Sequence, residues 1–131
     1  MEVLNIVVAA VAGFALGAVW YGLLAQPWMR ASQVPTGEDG KPINAQNPML
    51  YLGTFALQIV VAGMMRHVFV LSGIETAGAG LVGGLGVGLF FITPWIMINN
   101  LYCARPMQLS LIDGGYATLA CAAIGLVLTL F

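Results

Sequence analysis

The sequence predicts an all-α fold: a polytopic membrane protein built as an antiparallel bundle of four transmembrane helices. Hydrophobic residues make up 60% of the chain and charged residues only 7%. A typical soluble domain carries roughly 25% charged residues. So few charges could not cover a water-facing surface, whereas a lipid-facing surface has to be apolar. Four apolar stretches also recur, each near the roughly 20 residues that are needed to cross a bilayer.

These stretches form one predicted transmembrane domain, residues 1–131. The first is longer than the apolar core of a secretory signal, which has about 7–15 residues, so we expect a retained helix. The second begins with Asn47 as an N-cap and Pro48 at the first helical position. The predicted helices cover, approximately, residues 3–25, 48–72, 76–100 and 106–131.

The connections between the helices predict the orientation in the membrane. Residues 26–47 form a polar, turn-rich loop, and the other two connections are short enough to be tight hairpins. Loops 1 and 3 carry three basic residues against one on the other side: Arg30, Lys41 and Arg105 against Arg66. Basic loops favour the cytoplasm, which places loops 1 and 3 there and both termini outside the cell membrane. Such a small bias leaves a dual topology open.

The composition also predicts which partners and cofactors to leave out. The formal net charge is -1 and the basic residues are scattered, so no nucleic-acid partner is expected. No disulfide is expected, because Cys121 lies deep in an apolar stretch whereas Cys103 lies at a predicted helix end. Neither cysteine belongs to a Cys/His cluster with metal-ligand spacing. No metal, no cofactor and no enzyme activity are predicted, because no nucleophile–base or paired-carboxylate motif is present. The predicted partner is the lipid bilayer.

Helix order brings most of the unusual polar and aromatic residues to one end of the predicted bundle. We take them as candidates for binding or transport, although each has a simpler alternative. The aromatic residues can form an interfacial belt, the asparagines can cap a helix, and the arginine can anchor the topology. The candidates are Trp20, Tyr21, Trp28, Asn99, Asn100, Arg105, Asp113 and Tyr116.

Asp113 is the sharpest candidate, since it lies roughly 10 Å into the fourth helix when counted from Pro106. A carboxylate at that depth has to face the interior, find a partner or become protonated. One interpretation is a carboxylate that handles a proton or a cation. The other is a structural acceptor for Asn99, Tyr21 or Arg105 that holds helices together.

Small residues repeat at four-residue spacing and predict close helix contacts. The positions on the first and third helices are Gly13, Gly17, Gly80, Gly84 and Gly88, and a matching ridge on the fourth runs through Ala117, Cys121 and Gly125. The contacts can lie within one bundle or across a homodimer. Pro94 should kink the third helix, either as a moving gate or as a static bend.

Two motifs resemble the family known as domain of unknown function 1761. The first is Gly17-Ala18-Val19-Trp20-Tyr21-Gly22 followed by Pro27-Trp28-Met29. The second is Asn99-Asn100-Leu101-Tyr102, then Arg105-Pro106 and Leu111-Ile112-Asp113-Gly114-Gly115-Tyr116. The resemblance implies a small four-helix membrane protein and carries no catalytic residues to transfer.

Two functions follow as hypotheses. The first is a small transporter or channel-like protein, expected to be a homodimer, that takes a small ion or molecule at a polar site around Asp113. The alternative is a structural or accessory membrane protein without catalysis, which associates through its glycine-rich helix faces.

Overall fold

The computed structural model describes residues 2–131, and these residues form helices and their connections. No strand occurs in this range. The β-type pairing found there is an isolated antiparallel bridge between Thr36 and Pro42. The all-α prediction is therefore confirmed. A π-helical turn, Gly88–Ile92, joins the fourth and fifth helices. The α-helices are α1 Glu2–Leu23, α2 Ala25–Ser32, α3 Pro48–Ser72, α4 Ala77–Val87, α5 Thr93–Tyr102 and α6 Met107–Leu128.

Four helical stretches are long and apolar enough to cross a membrane. The most apolar 18-residue windows of Glu2–Leu23, Pro48–Ser72, Ala77–Tyr102 and Met107–Leu128 have mean hydropathies of 2.2, 1.6, 2.0 and 1.7. Many large apolar side chains on these helices point away from the rest of the chain, among them Leu57, Phe90 and Leu111. Such an exterior would be costly in water and is expected in lipid. The four stretches therefore fit a membrane protein.

The predicted loop 26–47 was wrong over its first part, because residues 25–32 form α2. Proline has no N–H group, so Pro27 cannot donate to the carbonyl of Leu23, and its ring also crowds that carbonyl. The chain bends at Leu24 while hydrogen bonds continue on either side, from Leu24 to Trp20 and from Trp28 to Leu24, both at 2.9 Å. The proline thus ends the first long helix and starts a short one.

The third predicted helix is interrupted at Pro94, which cannot donate to the carbonyl of Phe90. The backbone N–H of Thr93 bonds to Gly88 instead, which is the wider spacing of a π-helical turn. The hydroxyl of Thr93 lies 2.7 Å from the Gly88 carbonyl oxygen and 3.0 Å from that of Gly114 on α6. The bend is therefore tied to the neighbouring helix through one side chain.

Helix α6 lies at the centre of the fold and packs against α1, α4 and α5. Half of its most apolar stretch is buried, compared with 11–22% for the other three. Gly80, Gly84 and Gly88 face α6 so closely that an added Cβ would overlap backbone atoms of that helix. These glycines are therefore used within one chain, and a homodimer would need another surface.

The connection between α5 and α6 contains a conformation that suits glycine. Ala104 has φ +53°, a left-handed backbone that costs a residue with a Cβ about 1 kcal/mol. We expect Ala104→Gly to raise the free energy of unfolding in detergent by roughly 0.5–1 kcal/mol. Ala45→Gly is the control, because Ala45 has no positive φ. This variant should lower the free energy of unfolding by a similar amount. Equal losses in both variants would contradict the assignment of strain to Ala104.

Candidate binding site around Asp113

The carboxylate of Asp113 is held by a tyrosine from α1. The hydroxyl of Tyr21 donates to Asp113 Oδ1 at 2.7 Å, and both side chains are half-buried. Tyr21 lies in the last turn of α1 and Asp113 in the second turn of α6, so the bond joins two long helices. Of the three donors considered from the sequence, Tyr21 is the one that contacts the carboxylate directly.

Two further groups surround the same carboxylate. The indole of Trp28, on α2, and the guanidinium of Arg105, before α6, lie close enough to interact with its charge. Arg105 nevertheless makes no ion pair with it within the described residues, and its own side chain is exposed. Trp28 also packs edge-on against Tyr21, with ring centroids 5.9 Å apart. The bend at Leu24 therefore brings α2 back over the carboxylate.

A second hydrogen-bonded group continues from this site toward the middle of the fold. Tyr116 lies one turn beyond Asp113 and packs edge-on against Tyr21, with ring centroids 5.2 Å apart. Its hydroxyl donates to the carbonyl oxygen of Gly13 at 2.8 Å and accepts from Gln58 Nε2 at 2.5 Å. Gln58 Oε1 is buried and has no hydrogen-bond partner among the described residues. Polar side chains of α1, α3 and α6 thus meet between helices that are otherwise mostly apolar.

The glycines of α1 make room for this group. A Cβ on Gly17 would lie 2.7 Å from the Tyr116 hydroxyl oxygen, and one on Gly13 would overlap Gln58 and lie 2.9 Å from Ile124 Cδ1. The absent side chains allow the ring of Tyr116 to reach the backbone of α1. Gly13 and Gly17 therefore make room for polar side chains between the helices, in addition to allowing the helices to pack closely.

Trp20 packs beside the site but does not form a hydrogen bond to the Asp113 carboxylate. Its indole N–H donates to the carbonyl oxygen of Ile112 at 3.0 Å. A Cβ on Gly115 would lie 2.9 Å from the Trp20 ring, so the glycine provides the space in which the ring lies. Trp20 thereby fixes the end of α1 against the start of α6, one residue before Asp113.

The two asparagines at the end of α5 do not join the site. Asn99 is exposed, and no side-chain hydrogen bond is found for it within residues 2–131. Asn100 donates through Nδ2 to Ser110 Oγ at 3.0 Å, and its carbonyl oxygen accepts from the N–H of Arg105 at 2.9 Å. Asn100 therefore closes the α5–α6 hairpin, whereas Asn99 faces away from it.

Sequence reasoning missed Gln58 and Asn5, which are both polar residues in otherwise apolar stretches. That isolation is the signal that could have found them, because an amide in a membrane span is expected to be paired. Asn5 is only 2% exposed, and its Nδ2 donates to the carbonyl oxygen of Phe131 at 3.0 Å. It therefore belongs to a different polar cluster, at the opposite end of α6 from Asp113.

Within residues 2–131, no three His, Cys, Asp or Glu side chains lie together in a way that could hold a metal ion. Cys103 is exposed and Cys121 is buried, and both are free thiols. The chemistry that this arrangement offers is hydrogen bonding and charge pairing at one carboxylate.

The comparison with family models decides the relationship of this chain to other proteins. Residues 4–129 match the model described as "Protein of unknown function (DUF1761)". The chain belongs to the DUF1761 family. The resemblance stated from the two motifs is thus confirmed. No curated protein and no solved structure matches the chain. The DUF1761 match covers both the Asp113 site and the four long helices, but its description assigns no activity to them.

Proposed function

We propose that this DUF1761 protein is a small transporter or channel-like multi-pass membrane protein that binds a small cation, or a proton, at Asp113 and moves it across the bilayer. The supporting observation is the line of polar side chains that starts at Asp113 and Tyr21 and continues through Tyr116 to Gln58. Such groups inside a span are costly unless they are paired or used. The pairing is incomplete, because Gln58 Oε1 has no partner among the described residues.

The proposed arrangement is an antiparallel four-helix bundle in the cell membrane. Loops 1 and 3 face the cytoplasm and the termini face outside, following the distribution of basic residues. Asp113 then lies toward the cytoplasmic end, where Arg105 and Trp28 mark the interface. Binding rather than catalysis is proposed, because the site offers one carboxylate and hydroxyl donors without a nucleophile–base pair.

A second candidate is a structural or accessory role, and one observation favours it. The Tyr21–Asp113 bond and the Tyr116–Gly13 bond both join α1 to α6, so they can serve to fix those helices. A homodimer remains part of both proposals. Its contact would use an outward surface such as the one that carries Gly78, since an added Cβ at that position meets nothing within 4 Å.

The first test is ion and proton flux in proteoliposomes. Asp113→Asn keeps an acceptor for Tyr21 but removes the charge, and we expect flux to fall about tenfold or more because an amide does not exchange a proton as a carboxyl group does. Glu38→Gln is the matched control, since Glu38 is an exposed acid in the first loop. Its flux should equal that of the unchanged protein.

The outcomes separate the two candidates. Equal flux in Asp113→Asn and the unchanged protein would remove Asp113 from the transport path. If the unchanged protein moves none of the ions tested, the accessory role becomes the better proposal. Asp113→Asn should then lower the free energy of unfolding in detergent, because the acceptor for the Tyr21 hydroxyl becomes weaker.

A further inference from the structure

A cleft of about 420 Å³ opens at the end of the fold opposite to Asp113. We name it the Arg66 cleft. It lies beside Leu128, which is 15 residues, or about 22 Å, further along α6 than Asp113. It is therefore separate from the site described above. Its charges come from Arg66 and Glu75, and its apolar walls include Val70, Ile74, Leu128 and Phe131.

The guanidinium of Arg66 is only partly satisfied by the protein. Its Nη1 donates to the carbonyl oxygen of Leu128 at 3.2 Å. Its Nη2 lies 3.9 Å from a carboxylate oxygen of Glu2, whose side chain is 76% exposed, so this ion pair is weak. Its Nε is buried and has no hydrogen-bond partner among the described residues. The Arg66 side chain is 28% exposed and lines the cleft, so its accessible part is free to bind an acceptor placed there.

An acidic side chain faces the same cleft without pairing with this arginine. Glu75 lies in the short connection between α3 and α4 and lines the cleft. No ion pair joins it to Arg66 in the part of the chain that the structure describes, where Glu2 is the carboxylate found beside that arginine. A cation and an anion therefore border one cleft whose remaining lining is largely apolar.

We propose that the Arg66 cleft binds the headgroup of a zwitterionic phospholipid with a primary ammonium group, its phosphate on Arg66 and its ammonium on Glu75. Arginine is the side chain best suited to phosphate, and a carboxylate is a strong acceptor for an ammonium group. The apolar walls receive the start of the acyl chains. An anionic lipid lacks the ammonium group and brings negative charge toward Glu75 and Glu2. The inference rests on the proposed membrane insertion and is independent of any role of Asp113.

The test measures lipid binding to the purified full chain by native mass spectrometry in detergent. The probes are phosphatidylethanolamine, phosphatidylcholine and phosphatidylglycerol with identical acyl chains. We expect phosphatidylethanolamine to bind about tenfold more tightly than either of the others, the difference that one charge-assisted hydrogen bond can make. Glu75→Gln should remove this preference and leave the binding of phosphatidylglycerol unchanged or stronger. Lys41→Gln and Glu38→Gln, which change charges in the first loop, should preserve it.

Arg66→Gln should weaken the binding of all three lipids, since each has a phosphate. That variant also loses the bond to Leu128 and can lower stability, whereas Glu75 is exposed and its replacement should leave the fold intact. Equal binding of the three lipids, or an unchanged preference in Glu75→Gln, would overturn the proposal. Tight binding of soluble glycerophosphoethanolamine, equal to that of the lipid, would also overturn the proposal. The acyl chains would then contribute nothing to binding. Asp113→Asn should retain the preference, which separates this outcome from that of the flux test.

Discussion

Replacing Gly84 by alanine is expected to lower the free energy of unfolding by about 3 kcal/mol, the upper part of the usual range for overpacking a core. A Cβ at this position would overlap the carbonyl oxygen of Cys121 and lie 2.8 Å from its carbonyl carbon and 3.0 Å from the Cα of Ala122. These are backbone atoms, which cannot rotate away as a side chain can. Helices α4 and α6 would have to separate, and the contact that they make would be weakened along its length.

Gly86→Ala, two residues further along α4, is the matched control. Nothing lies within 4 Å of a Cβ at Gly86, so the added methyl group costs no packing. Alanine in a helix interior is favoured over glycine by about 0.5–1 kcal/mol, so this variant should be neutral or more stable. The measurement is unfolding in mixed detergent micelles followed by circular dichroism. Similar stabilities for the two variants would contradict a close contact between α4 and α6 at Gly84.

The second large effect is expected for Tyr116→Phe, which removes one hydroxyl from the centre of the fold. The change deletes the acceptor for Gln58 Nε2 and the donor to the Gly13 carbonyl oxygen. Gln58 would then keep a half-buried amide without a partner, and we expect a loss of about 1–3 kcal/mol in the free energy of unfolding. Tyr102→Phe serves as the control, because Tyr102 is 91% exposed and its change should have little effect.

A double variant shows whether the loss comes from the unpaired amide. Gln58→Leu combined with Tyr116→Phe replaces both polar partners by apolar groups, and such pairs can be close to neutral. The double variant should therefore recover a large part of the stability lost in Tyr116→Phe alone. Additive losses from the two single changes would contradict a direct Gln58–Tyr116 interaction.

The candidate site could be predicted from the sequence only in part. The depth of Asp113 in an apolar stretch identified it as a carboxylate that needs a partner, and the helix order brought Tyr21 to the same end. Sequence position could not separate Asn99 from Asn100, since neighbouring residues on a helix point about 100° apart and one rotation angle decides which faces inward. Gln58 was missed because its partner, Tyr116, lies 58 residues away.

The sequence by itself determined the all-α class, the number of apolar stretches and their approximate positions. The physical reason is that a bilayer requires about 20 apolar residues for each crossing, which composition along the chain reveals directly. The glycine spacing also marked the faces where helices can approach closely, because a Cβ is absent there.

Only the tertiary structure decided which helix lies at the centre and which side chains meet. Lipid and protein interior are both apolar, so hydropathy does not distinguish the central helix α6 from its neighbours. Half of the most apolar part of α6 is buried by the protein, whereas the other long helices are more exposed. The bend that brings Trp28 over Asp113 and the contacts of Arg66 with the end of α6 depend on helix rotation and register. Those are set by the packing of distant segments against one another, which no local pattern in the chain records.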